Sequence, residues 1–174
     1  MASQEEKSVS PVLKRFTAVL ALTVLMAAGL IAYVSLFGSV KVQIDRCMVS
    51  SCAVSDNPER FSRDRALVIS NALPGTVLRE ISFAEDEKLE YVFYSVKVKN
   101  ENLISAETVE LTPEILDGDL MYYIQSPDET VISPFHEADL TLVVMRYKEA
   151  GTDKRNIRIT YYYMGDEREE VFAL

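Results

Sequence analysis

The sequence predicts an all-β fold, an antiparallel β-sandwich behind one N-terminal transmembrane helix. Three observations predict it. Residues 16 to 40 form an uncharged apolar run, later segments alternate apolar and polar side chains in short blocks, and Gly, Pro, Asn and Asp mark the gaps between blocks. The implied organisation is a cytoplasmic tail at 1–15, a membrane span at 16–40, a membrane-proximal strand and linker at 41–65, and an extracytoplasmic sandwich domain at 66–174.

The span comes first. A helix of 25 residues is roughly 37 Å long, enough to cross a hydrocarbon core of about 30 Å with some tilt. Twelve of its residues are Leu, Ile, Val or Phe, which supply at most roughly −4 to −7 kcal/mol of insertion free energy. A secretory signal peptide has a shorter apolar core of about 7–15 residues followed by small residues at a cleavage site. Ala27-Ala28-Gly29 offers small residues, but the apolar run continues to Val40, and cleavage there would leave a greasy N-terminus. The expectation is an uncleaved signal-anchor. Lys7, Lys14 and Arg15 precede the span, so the positive-inside rule places the N-terminus in the cytoplasm and the C-terminal domain outside. Within the span, Ala18, Ala21, Ala28, Ala32, Ser35 and Ser39 share a stripe interrupted only by Leu25. Small residues let helices approach closely in lipid, so Ala28, Ala32 and Ser35 are candidates for packing against a second copy or another helix.

Beyond the span the chain is acidic. Of 18 basic and 27 acidic residues, 15 and 25 lie past residue 40. Such a surface repels nucleic acid and anionic headgroups, leaving the bilayer around the anchor and neutral or cationic proteins as partners. None of the five asparagines heads an Asn-X-Ser/Thr sequon, as suits a bacterial envelope protein.

Val40, Val42 and Ile44 alternate with Lys41, Gln43 and Asp45, which reads as a strand leaving the helix. Residues 46 to 65 are charged, Ser-rich and carry Pro58, so they read as linker. Within them, Cys47 and Cys52 lie on the oxidising side of the expected topology, where a small-loop disulfide would contribute about 2 kcal/mol; two free thiols are the alternative. Ala66 to Ser70 is a short apolar run before the turn at 71–75. Strands are expected at 76–83, 91–100, 107–111, 120–125, 139–148, 156–164 and 169–174, with no helix pattern outside the membrane.

Three of these segments, YVFYSVKVKNEN, SPFHEADLTLVV and RNIRITYYYMG, resemble the immunoglobulin-like ectodomains of single-pass bacterial envelope proteins. The resemblance spans about residues 76 to 174 and implies an immunoglobulin-like sandwich outside the membrane. It transfers no binding residue, because the Cys-Trp-Cys core of antibody domains is absent.

Little in the sequence supports catalysis. It has one histidine, His136, and no Gly-rich phosphate loop, Gly-X-Ser-X-Gly element or metal-ligand spacing. No cofactor or metal is expected, although Glu85-Asp86-Glu87 and Asp117-Gly118-Asp119 carry the oxygen ligands calcium uses. The tyrosines remain. Tyr161 and Tyr163 share a face with Ile157 and Ile159 and belong to the core, whereas Tyr162 faces out. Tyr91, Tyr123 and Tyr162 are candidates for a surface platform that stacks on sugars or a protein. The functional expectation is a membrane-anchored, non-catalytic interaction module supporting an envelope or secretion complex. A carbohydrate- or peptidoglycan-binding module using outward tyrosines is the alternative.

Overall fold

The computed structural model describes residues 11–37, 42–80, 87–125, 131–150 and 154–174. The chain runs through helix α1 (Pro11–Phe37), strand β1 (Val42–Ala53), a 3₁₀ turn (Val54–Asp56), helix α2 (Pro58–Ile69), and strands β2 (Gly75–Val77), β3 (Leu89–Asn100), β4 (Glu107–Pro113), β5 (Asp119–Ile124) and β6 (Glu137–Tyr147). A second 3₁₀ turn (Lys148–Ala150) leads to β7 (Asn156–Tyr163) and β8 (Asp166–Ala173). It divides into two units, one through Ser39 and one from Val40.

The first unit is α1. Its apolar stretch Arg15–Tyr33 is long and apolar enough to cross a membrane, and none of it is buried against protein. Within this stretch Thr23 Oγ1 donates to the Val19 carbonyl one turn back at 2.9 Å, which satisfies it without water. Several expectations fall outside the described residues: the tail through residue 10, Ser39 and Val40, the end of the 76–83 segment, Glu85-Asp86, and the side chains of Lys14 and Ser35.

The second unit is mostly β, in two antiparallel sheets. One has the order β1-β3-β6-β5-β2 and the other β4-β7-β8. In β3, Val92, Tyr94, Val96 and Val98 face one way and meet Leu140, Leu142 and Val144 of β6 on the same side. The opposing layer comes from Val109 and Leu111 of β4 and from Ile157, Ile159, Tyr161 and Tyr163 of β7. Period-2 alternation in β3 and β7 thus builds one apolar layer between the sheets.

The other face of the five-stranded sheet is covered too, and here the sequence reading needs correction. The expected linker and the Ala66–Ser70 run contain the last two-thirds of β1 and the whole of α2. Asn57 caps α2 by accepting from the Arg60 amide at 3.2 Å, and Pro58 takes the first helical turn, where its missing N–H costs nothing. Phe61 and Val68, on one helix face, cover Tyr91, Met121, Tyr123, Val143 and Met145. β2 closes the sheet beside β5, where a Cβ on Gly75 would run into the Tyr122 carbonyl oxygen.

β1 was recognisable only at its start because it bulges. Its register against β3 shifts between Ile44 and Arg46, so the inward positions change from 42 and 44 to 47 and 49. Cys47 then pairs with Val96 and Cys52 with Tyr91, on opposite faces of one extended strand. Both thiols are free. The expected disulfide does not form: five strand residues span about 16 Å, whereas a disulfide needs Cα atoms about 4.4–6.8 Å apart.

The polar tie of the domain is Arg155, just ahead of β7. It makes a bidentate pair with Asp119 at the start of β5, Nη1 to Oδ2 at 2.8 Å and Nη2 to Oδ1 at 3.2 Å. Its Nε donates to the Tyr94 hydroxyl at 2.8 Å and its Nη1 to the Glu114 carbonyl at 3.1 Å, while the Leu116 amide donates to Asp119 at 2.8 Å. Both side chains are essentially solvent-free, 0% and 1% exposed. Arg155→Met should therefore cost about 3–5 kcal/mol by leaving Asp119 unpaired, while Asp119→Leu with Arg155→Met should cost less than the single change. Urea unfolding of residues 40–174 checks this; a double variant less stable than the single one contradicts it.

Candidate functional site

The three tyrosines expected at the surface are not brought together. Tyr91 and Tyr123 are each 1% exposed, sealed under α2. Only Tyr162 stands out, at 39% exposure, on the outer face of β4-β7-β8. Cross-strand registers flank it with Glu107 on β4 and Glu167 on β8, and the next row is Glu110, Thr160 and Glu169. Arg158, one row further, pairs with Glu169 at 3.0 Å. Ala28 and Ala32 are exposed on α1.

The buried tyrosines belong instead to a polar clasp. Asp64, the central residue of α2's inner face, receives the Tyr123 hydroxyl, Arg60 Nε at 3.2 Å and Arg63 Nε at 3.3 Å. Arg60 also reaches Gln125 Oε1 at 3.2 Å, and its guanidinium lies 5.5 Å from the Tyr91 ring centre and 5.0 Å from that of Phe93. A cavity of about 370 Å³ opens beside it, lined by Asn57, Arg60, Arg63, Asp64, Tyr123 and Gln125 among others. The Tyr91 hydroxyl is buried with no hydrogen-bond partner among the described residues.

This arrangement is built to hold. Burial, then the hydrogen bond to Asp64, pushes the Tyr123 phenol well above its usual range, and burial does the same for Tyr91. Both phenols therefore keep their protons at neutral pH, and the Asp64 carboxylate is engaged by three donors. No free nucleophile–base pair is assembled in the clasp. The sequence reading missed Asp64 and Arg60 because it had no helix there. Their (i, i+4) spacing behind Asn57-Pro58 was the available signal.

The remaining candidates resolve simply. Asp119, one of the acidic-turn residues, is tied to Arg155, and Asp117 pairs with Arg79 at 3.0 Å. Among the described residues no group of three or more His, Cys, Asp or Glu side chains is placed to hold a metal. His136 is exposed, with Nδ1 2.8 Å from the Pro134 carbonyl. Compared with known proteins, the chain matches no family model and no curated protein.

Two predictions follow from the clasp and the thiols. The raised phenols hold protons that the unfolded chain releases above about pH 10, so their contribution is whole below that pH and declines as pH rises. Tyr123→Phe should cost about 1–3 kcal/mol at pH 7 and soften the alkaline decline; urea midpoints between pH 8 and 11 report both. An unchanged slope would contradict the buried-phenol geometry. Burial raises the Cys47 thiol, whereas Cys52 is exposed, so iodoacetamide at pH 8 should modify Cys52 first and both without reductant. Labelling that requires prior reduction would restore the disulfide.

Proposed function

We propose that this chain is a membrane-anchored, non-catalytic extracytoplasmic interaction module that supports an envelope or secretion complex. The observation that carries the reading is α1: an apolar helix with no protein packed on its span, standing in sequence just ahead of a separate compact unit. Lys14 and Arg15 at its N-terminal side support a cytoplasmic N-terminus and an external domain. The small-residue stripe through Ala28, Ala32 and Ser35 supports a second helix as a neighbour in the bilayer.

Strand order supports an immunoglobulin-like assignment for the sandwich. Leaving out the three-residue β2, the sheets run β1-β3-β6-β5 and β4-β7-β8. In chain order this is the ABED and CFG arrangement of seven-stranded constant-type domains. α2 is then an insertion between the first two strands. A fold of this kind does not by itself specify a partner. The carbohydrate alternative keeps only Tyr162 of its three stacking residues, since Tyr91 and Tyr123 are buried.

Cross-linking the full chain in its native membranes with a short amine–carboxyl reagent tests the proposal. The expected result is a discrete adduct of this chain with protein, reproduced across preparations. Absence of any protein adduct, together with saturable binding of residues 40–174 to cell-wall glycan, would overturn it.

A further inference from the structure

We propose that the cavity beside α2 receives a carboxylate of a partner protein between Arg60 and Arg63, with an apolar side chain of the same partner against Leu67 and Leu73. This names the partner's chemistry for the interaction module and rests on that reading.

The residues around the cavity have donors in excess. Their amide and carboxylate oxygens already hold donors: Asn57 Oδ1 takes the Arg60 amide and Gln125 Oε1 takes Arg60 Nη2. Asp64 takes Arg63 Nε on Oδ1, and Arg60 Nε with the Tyr123 hydroxyl on Oδ2. Among the described residues nothing accepts from either Nη of Arg63, from Arg60 Nη1, from Asn57 Nδ2 or from Gln125 Nε2. A ligand that suits this wall must bring acceptors.

The two guanidiniums are set in place before any ligand arrives. The Asp64 side chain is only 5% exposed and holds each arginine by its Nε, which leaves the Nη ends for a second carboxylate. Arginines fixed in this way lose little freedom on binding and favour a planar, two-oxygen acceptor. Arg63 is the more open of the two, at 68% exposure of its side chain.

Charge selects a monoanion. Arg60 and Arg63 against Asp64 leave one net positive charge at the cavity, within a domain that is strongly acidic. One carboxylate balances that charge, whereas a dianion would add negative charge to an acidic surface. The volume of about 370 Å³ exceeds what a carboxylate alone needs and falls in the range of about 300–1,000 Å³ usual for ligand pockets. Leu67 and Leu73, both half-buried, supply an apolar wall beside the donors. The larger opening of about 420 Å³ near Pro113 has no such surplus, since it carries Glu114 and its Arg158 is paired with Glu169.

The test titrates the full chain, in phosphatidylcholine nanodiscs, into three short peptides that carry a neutral fluorophore on the N-terminus. One is Leu-Glu-Leu amide, one is Leu-Gln-Leu with a free C-terminal carboxylate, and one is Leu-Gln-Leu amide. At least one carboxylate-bearing peptide should show a saturable rise in anisotropy, with the uncharged peptide at least tenfold weaker. Which of the two binds tells a side-chain carboxylate from a terminal one. Arg63→Gln should weaken binding roughly tenfold, and Asp64 keeps Arg60 and Tyr123 so α2 stays clamped. Arg158→Gln removes the same charge from the outer face of the other sheet and should bind as wild type. Equal or absent binding of all three peptides, an Arg63→Gln variant that matches wild type, or an Arg158→Gln variant that loses as much would each overturn the proposal. Displacement of the peptide by inorganic phosphate at lower concentration than by acetate would overturn it too. A chain that binds none of the peptides and still cross-links a protein in native membranes would lose this site and keep the interaction-module reading.

Discussion

The buried pair between Arg155 and Asp119 is the contact on which the domain's layers depend. One guanidinium is shared among the start of β5, the Tyr94 hydroxyl of β3 and the Glu114 carbonyl beyond β4, with no solvent at either side chain. Burying two charges is expensive unless every donor finds an acceptor, and here the bidentate geometry and the added hydrogen bonds provide them. The pair holds β5 in the five-stranded sheet against the loop that feeds β7 of the other. Asn100 does the equivalent at the far end of β3: its Nδ2 reaches the carbonyls of Ile104 and Ile132, each at 2.9 Å. The apolar layer between the sheets is non-directional, so these polar ties fix how one sheet lies on the other.

The second constraint is that the five-stranded sheet buries both faces over part of its area. This explains much of what was and was not legible in the sequence. β3 and β7 alternate cleanly, and their inward faces were readable residue by residue, down to Tyr161 and Tyr163 inside and Tyr162 outside. β5 does not alternate because it is covered on both sides, so Tyr123 could not be assigned from the pattern. Tyr91, expected at the surface, lies on the β3 face opposite Val92, and α2 covers that face. α2 itself was hidden because its inner stripe is sparse: Asp64 sits between Phe61 and Val68 where an apolar residue would ordinarily signal a helix. The bulge after Ile44 likewise reset the parity of β1 and made a strand look like a linker.

For function, the consequence is that the side chains with chemical potential are mostly committed to architecture. Arg60 and Asp64 clamp α2, Arg155 and Asp119 join layers, and the buried phenols keep their protons. What remains free is surface and edge, together with a helix suited to lipid. The α1 span, its flanking charges and the domain's acidity were all legible from sequence because hydropathy and charge need no tertiary context. Which strands the fold leaves at sheet edges was not legible, and the place of β1 at the end of its sheet emerged only from the structure.

The central claim is that α1 tethers the domain to the outer side of a membrane. Protease protection with a C-terminal epitope tests it most directly. The account predicts that protease added to cells with a permeable outer layer and an intact inner membrane removes the epitope, while inverted membrane vesicles protect it. Epitope loss only from inverted vesicles, or its release into the soluble fraction without protease, would contradict the account.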